Sequence, residues 1–109
     1  MSLAAEKCTP TPEGTPALTA EQKSELHKEL STAWQRLDDD TKLHASYKFN
    51  DFKAAFAFAT KVGLLAEEQW HHPDLLVSWG KVEVTIWTHT VNDLVRSDYI
   101  FAAKCDALL

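Results

Sequence analysis

Two adjacent histidines, His71 and His72, are the most unusual local feature of the sequence, and a proline follows them at position 73. An imidazole has an ordinary pKa of about 6.5, so it can give or take a proton close to neutral pH. Proline forces the residue before it into an extended conformation, so His72 cannot lie in the middle of a helix. The pair is expected in a loop or at the entrance to a strand. Taken alone, such a pair is more often solvated surface than a site.

Further polar and aromatic residues flank the histidine pair and favour a site. Glu67 lies on what reads as the last helical turn before it, and Trp79, His89 and Asp98 follow it. Several imidazoles around an aromatic-lined cleft would suit acid–base chemistry on a flat, polar heterocycle. Three histidines and an aspartate could also hold zinc with one open position. Side chains of adjacent residues in extended backbone point in opposite directions, however, which makes the pair awkward as two ligands to one ion.

The first half of the folded region reads as a helix and two strands. Thr19–Gln22 has the form of a capping box and predicts a helix from Ala20 to about Ala33. Trp34–Leu37 is predicted as a short strand, because the three aspartates that follow it solvate well and favour a turn. Alternating apolar and polar residues from Leu43 to Phe49 predict a half-buried strand.

The second half repeats this order and adds a helix. Asn50 is the expected cap of a second helix that runs to about Glu68, with apolar residues at helical spacing (Phe52, Ala55, Phe56, Ala59, Val62 and Leu65 or Ala66) expected in the core. Leu75–Trp79 and Lys81–His89 read as a hairpin around Gly80. A last helix is expected to begin between Asn92 and Ser97. Short connections imply antiparallel hairpins, so the fold class is α+β, a four-stranded antiparallel sheet with helices packed on one face.

Length and composition exclude several classes of protein. The chain has 109 residues, a formal net charge of −5 and 45% hydrophobic residues, which suits one globular domain. No apolar run approaches the roughly 20 residues of a membrane span, and the acidic balance argues against direct nucleic-acid binding. The proline-rich residues 1–17 are predicted to be a flexible leader, and residues 18–109 the single domain. The two cysteines suggest a reducing compartment, with one disulfide left open.

The spacing of these candidates resembles a family signature. The pattern Glu67-x3-His71-His72-Pro73-x5-Trp79-x9-His89-x8-Asp98 resembles that of the pterin-4a-carbinolamine dehydratases at every defined position. The stretch from Phe49 to Phe58 is similar to the aromatic helix entrance of that family, and further likenesses extend the resemblance over residues 18 to 109 (Lys81-Val82-Glu83-Val84, Thr88-His89 and Trp34). The sheet with helices on one side that this family has agrees with the fold expected from the residues.

The resemblance implies a function and a set of site residues. It implies a dehydratase that converts a 4a-hydroxytetrahydropterin, the spent cofactor of aromatic amino acid hydroxylases, to the quinonoid dihydropterin and water. By matching position, the resemblance makes His71, His72 and His89 the catalytic imidazoles. It gives substrate-binding or orienting roles to a second set of residues (Asp98, Glu67 and Trp34). It implies neither a metal nor an organic cofactor.

The resemblance also implies partners and a location. The family forms homodimers and homotetramers, without membrane or direct nucleic-acid contact, so a cytoplasmic protein is expected. Animal relatives also bind the dimerisation region of a homeodomain transcription factor, which would add a nuclear role as a coactivator. Three positions depart from the family, and one of them is Val95, where a serine or threonine cap is common. Trp70 stands where many relatives have aspartate, and Ser97 stands where animal members tend to have arginine.

Overall fold

A four-stranded antiparallel sheet organises the chain, in the strand order β1-β2-β4-β3. The computed structural model describes residues 2–109. Beyond a short 3₁₀ turn (Leu3–Ala5), the elements are α1 (Ala20–His27), β1 (Trp34–Leu37), β2 (Lys42–Lys48), α2 (Phe52–Gln69), β3 (Asp74–Ser78), β4 (Lys81–Ile86) and α3 (Arg96–Asp106). This order confirms the predicted α+β fold.

The two central strands supply one wall of the core. Every second residue of β2 and β4 points toward the helices and is buried, and the pairing register sets these residues opposite one another (Leu43 with Ile86, Ala45 with Val84, Tyr47 with Val82). Full burial of one of the Leu, Ile or Val side chains among them contributes about 1.5–3 kcal/mol to the stability of the fold. Gly80 closes the β3–β4 hairpin, where an added Cβ would lie 3.0 Å from the carbonyl oxygen of Phe49.

The first helix is shorter than its apolar pattern predicts. It begins at the capping box of Thr19 and Gln22 as expected, but it ends at His27 instead of near Ala33. Beyond it, the backbone N–H and the hydroxyl of Ser31 both donate to the carboxylate of Asp106, each at 2.8 Å. These bonds hold the chain against α3 in a conformation that is not helical. They join residues 75 positions apart in the sequence.

The second helix differs from expectation in its cap and in the face that it buries. Asp51, not Asn50, is the N-cap, and its carboxylate accepts from the N–H of Ala54 at 2.8 Å. The buried face consists of small residues and one aromatic ring (Ala55, Phe58, Ala59, Val62 and Ala66). At roughly 100° per residue, Phe56 lies roughly 120° round the helix from Val62. Phe56 and Phe52 are therefore largely exposed, and their rings stack on each other at 5.9 Å.

The amino-terminal segment lies against the domain. Residues 1–17 are predicted to be a flexible leader; Met1 lies outside the described residues, and residues 2–17 run past α3. Leu3 is 1% exposed, and the ammonium of Lys104 donates to the carbonyl of Ala4 at 2.7 Å. The segment has no apolar periodicity, so the sequence pattern does not indicate this packing. The flexibility of the segment and the boundary at residue 18 stay predictions.

No helix within residues 2–109 combines the length and the apolar character that crossing a lipid bilayer requires.

Candidate active site

The chain reverses sharply between α2 and the histidine pair. Trp70 caps α2 with φ 52° and ψ 47°, which is the left-handed conformation, and it is exposed. The N–H of His71 then donates to the carbonyl of Ala66 at 3.1 Å, which closes the helix end. This reversal turns His71 back toward the start of α3.

There His71 meets a buried carboxylate. Its Nε2 lies 2.6 Å from Oδ1 of Asp98, and the Asp98 side chain is fully buried. The His71 ring also packs edge-on against Phe101, with 6.1 Å between the ring centroids. The carboxylate and the aromatic ring together fix the orientation of this imidazole.

The other oxygen of Asp98 is occupied by two donors. Oδ2 accepts from the N–H of Val95 and from the hydroxyl of Thr88, each at 2.8 Å. The carboxylate lies in the first turn of α3, at the positive end of the helix dipole. An ionised Asp98 needs a proton on Nε2 of His71. The neutral imidazole then has Nδ1 as its free acceptor.

His72 is held differently. Its Nε2 lies 2.5 Å from Oε2 of Glu67, which is on the last turn of α2. The two side chains are 49% and 66% exposed, so this pair is open to solvent. The ring of Trp70 stands edge-on to the His72 ring, with 5.0 Å between the centroids. The two adjacent histidines therefore have separate carboxylate partners and different surroundings.

His89 lies in the connection after β4, the second strand of the β3–β4 hairpin. It follows β4 in a turn that is closed by the pairing of Thr88 with Asp93. Its ring stacks at 31° on the ring of Trp87, with 4.4 Å between the centroids. The ammonium of Lys42 lies 4.3 Å from the centroid of Trp87. Trp87 thus supports His89.

The three histidines line one cavity of about 420 Å³. The other lining residues come from the end of α2, the turn after β4 and the amino-terminal segment (Pro10, Thr11, Trp70, Trp87, Thr88 and Thr90). Ligand sites commonly occupy about 300–1,000 Å³, so a bicyclic molecule fits this space. The structure brings His71, His72 and His89 together, with Asp98 and Glu67 hydrogen-bonded to two of them.

Trp34 lies elsewhere. It is 3% exposed in β1, and its indole N–H donates to Oδ1 of Asp106 at 3.0 Å. The hydroxyl of Tyr47 donates to the same oxygen at 2.7 Å, and burial, with Asp106 beside it, raises the pKa of Tyr47 well above its ordinary value. Trp34 is not among the residues that line the cavity. Its placement is that of a core aromatic residue, and its substrate-binding role stays a prediction.

Several site residues were not indicated by sequence reasoning. Thr88 donates to Asp98, and Trp87 stacks on His89. Alternation along β4 does predict that Thr88 faces inward, and an inward hydroxyl needs a partner, so this signal was present. No sequence signal places Pro10 and Thr11 at the cavity, because a proline-rich segment has no periodicity that relates it to a surface.

The arrangement is suited to proton transfer. One imidazole is oriented by a buried carboxylate, a second by an exposed one, and a third by an aromatic ring. Across residues 2–109, no group of three or more histidine, cysteine, aspartate or glutamate side chains is placed so that it could hold a metal ion. The ligand-capable side chains at the cavity instead form separate histidine–carboxylate pairs.

Comparison with known proteins gives consistent results. The family model described as pterin 4 alpha carbinolamine dehydratase matches residues 16–108. A protein of Alkaliphilus metalliredigens is 41% identical over 96% of this chain and 94% of its own length, and one of Rubrobacter xylanophilus is 42% identical over 97% of both. Both are provisionally named pterin-4-alpha-carbinolamine dehydratase.

Two solved structures share the fold. A transcriptional coactivator/pterin dehydratase from Brucella melitensis superposes with a TM-score of 0.79 at 33% identity, over 85% of this chain and 98% of its own. A pterin dehydratase-like RuBisCO assembly factor of the α-carboxysome superposes with a TM-score of 0.62 at 23% identity, over 72% of this chain and 94% of its own. The second likeness concerns the fold alone.

Proposed function

Since the chain belongs to the pterin-4a-carbinolamine dehydratase family, we propose that it is a hydro-lyase acting on 4a-hydroxytetrahydropterins, with 4a-hydroxytetrahydrobiopterin as the substrate. The products are quinonoid dihydrobiopterin and water. In this role the protein returns the spent cofactor of aromatic amino acid hydroxylases to the tetrahydrobiopterin cycle. His71, His72 and His89 are the catalytic residues.

The reaction needs a proton delivered at one position and removed at another. The bond between C4a and the hydroxyl oxygen breaks while a ring-nitrogen lone pair forms a C=N double bond. Hydroxide leaves poorly, so an imidazolium that protonates the oxygen lets it depart as water. A second imidazole removes the ring N–H proton, and the net number of protons on the protein is unchanged. Positioned acid–base groups of this kind contribute typically about 10²–10⁴-fold.

The observation that carries the proposal is the convergence of three imidazoles on one cavity, with Nε2 of His71 held by a fully buried carboxylate. Asp98 fixes the tautomer that leaves Nδ1 of His71 as an acceptor, which is what a general base requires. His72 and His89 are more exposed and can exchange protons with solvent between turnovers. We assign the acid and base roles to the three histidines together.

A stopped-flow assay tests the function. Decay of chemically generated 4a-hydroxytetrahydropterin is followed with and without protein, and acceleration is expected. The double substitution His71→Ala with His72→Ala should reduce the acceleration by about 10²-fold or more while circular dichroism shows a folded chain. His44→Ala is the matched control, because His44 bonds Thr85 and Glu83 on the sheet, away from the cavity. No acceleration by the wild-type protein refutes the function, and an unchanged rate in the double variant refutes the site.

A second function is suggested by the description of the Brucella melitensis structure as a transcriptional coactivator. In that role the protein would stabilise the dimer of a transcription factor without catalysis, and would also act in the nucleus. Pull-down with a transcription-factor dimerisation segment distinguishes the two functions, since binding that survives the double histidine substitution cannot depend on turnover.

Self-association into homodimers or homotetramers is part of the proposal. β3 is an edge strand with exposed Leu75 and Leu76, and exposed edges of this kind require protection. Size-exclusion chromatography with light scattering measures the assembly directly.

A further inference from the structure

The amino-terminal segment crosses the seam between the two helices that support His71 and Asp98. The strap, defined here as residues Glu6–Thr11, runs from the start of α3 to the cavity. Its middle is held on both sides of the seam. The N–H of Cys8 donates to Oε1 of Gln69 at the end of α2, at 3.0 Å, and the N–H of Thr9 donates to the hydroxyl of Ser97 in α3, also at 3.0 Å.

Both ends of the strap are fastened as well. At one end, the guanidinium of Arg96 donates two hydrogen bonds to the carboxylate of Glu6, at 2.8 and 2.6 Å. At the other end, the hydroxyl of Thr90 donates to the carbonyl of Thr11 at 3.0 Å. Thr90 follows His89 directly, so this last bond joins the strap to the turn that carries a catalytic histidine.

The carboxyl-terminal end of the strap lines the cavity. Pro10 and Thr11 line it together with His71, His72 and His89. Proline has a fixed φ and no N–H, so it presents a stiff surface that makes no competing donor contact. A ligand in the cavity would therefore lie between the histidines and the strap.

We propose that the strap is the second wall of the ligand site and determines how tightly the site holds its ligand; this inference rests on the proposed pterin dehydratase function. A wall that is already fastened does not have to be ordered when the ligand arrives, which favours binding. The strap provides no group that titrates near neutral pH at the cavity. Loosening it should therefore weaken binding and leave the proton-transfer step unchanged.

Ser97 has a clear place in this arrangement. It is 3% exposed, and besides accepting from the N–H of Thr9 its hydroxyl donates back to the Thr9 carbonyl at 3.3 Å. Its own carbonyl accepts from the thiol of Cys8 at 3.4 Å. Ser97 is thus one of the four residues that bind the strap, with Gln69, Thr90 and Arg96.

The test loosens the strap at a distance from the cavity. Glu6→Gln with Arg96→Gln removes the ion pair without touching a lining residue, and Glu6→Arg with Arg96→Glu restores a pair of reversed sign. Glu25→Gln with Lys28→Gln is the matched control, since that exposed ion pair joins α1 to its C-cap residue and does not line the cavity. Binding of 7,8-dihydropterin, which has no 4a-hydroxyl and cannot react, is measured by quenching of tryptophan fluorescence, and turnover by stopped flow.

We expect the Gln pair to raise both Kd and KM about threefold to tenfold, with kcat within about twofold of wild type. The reversed pair should recover most of the affinity, and the α1 control should match wild type. In the wild-type protein, bound dihydropterin should slow amide hydrogen exchange in the strap. The inference is overturned if Kd is unchanged in the Gln pair, or if bound dihydropterin leaves the amide hydrogen exchange of the strap unchanged. Neither result overturns the proposed function. A wild-type protein that neither binds dihydropterin nor accelerates the reaction overturns both.

Discussion

The substitution Asp98→Asn tests how the site controls the protons of His71. The introduced amide can still accept from Thr88 and Val95 through its oxygen, but its nitrogen then faces Nε2 of His71 as a donor. Because two donors cannot share one hydrogen bond, His71 must move its proton to Nδ1. Nδ1 of His71, which is the free acceptor in the wild-type protein, therefore becomes a donor.

The expected loss follows from this change of tautomer. Loss of one positioned acid–base group costs typically about 10²–10⁴-fold, so kcat should fall by at least about 10²-fold, with KM within about threefold. A hydrogen bond to a charged group is worth about 1 kcal/mol more than a neutral one, and the two that Asp98 accepts from Thr88 and Val95 become neutral. A loss of about 2 kcal/mol in unfolding free energy should lower Tm by about 8–16 °C.

The control is Asp93→Asn, in the same connection before α3. Oδ1 of Asp93 accepts from the ammonium of Lys23 at 2.7 Å, and Lys23 is 6% exposed, so this substitution also weakens a charged contact. Asp93 does not line the cavity. Stopped-flow turnover and thermal unfolding are compared for both variants at a temperature where each is folded. Asp98→Asn with wild-type kcat, or equal losses of kcat in the two variants, would refute the assigned role of Asp98.

Two further predictions concern residues at the edges of the site. Trp70→Gly should stabilise the protein by about 1 kcal/mol, which would be measured as a higher Tm. A side chain in the left-handed conformation costs roughly 1–2 kcal/mol, and glycine avoids this cost. A lower Tm would show that the contact of the Trp70 ring with His72 outweighs that cost. Burial raises the pKa of the Cys8 thiol from 9.0 to about 11, and only the thiolate is alkylated, so iodoacetamide should modify Cys8 at pH 8 about 100-fold more slowly in the native protein than in urea. Equal rates, measured by mass spectrometry, would contradict the partial burial of the Cys8 side chain between the strap and α3.

The strands could be predicted from the sequence because their evidence is local. Alternation along β2 and β4 follows directly from one buried and one exposed face, and no distant residue is needed to detect it. The end of α1 is different, since Asp106 at the other end of the chain takes the backbone N–H of Ser31. The apolar pattern of α2 predicts a buried face that includes Phe56, whereas it is Phe58 that fills the core, against Tyr47 at 4.8 Å.

The site was predictable only as a set of residue types. The histidine pair and Asp98 are visible in the sequence, and the family resemblance supplied their expected association. The bond between His71 and Asp98 spans 27 positions and depends on the left-handed turn at Trp70 and on the start of α3. No property of the residues between them indicates that geometry. The placement of Trp34 in the core depends likewise on Asp106, which takes its indole N–H.

Asp98 explains why the spacings of the signature are fixed from Glu67 to the start of α3. Its carboxylate joins the chain after α2 through His71, the chain after β4 through Thr88, and the residue before α3 through Val95. A residue inserted in α2 would rotate its end by roughly 100°, and one inserted in β4 would turn Thr88 to the other face of the sheet. Either change would leave a fully buried carboxylate short of a partner, which costs about 1–3 kcal/mol or more for a charged group. The side chain of Asp98 orients the imidazole of His71 only when α2, β4 and α3 keep their present register, so the chemistry of the cavity depends on that register.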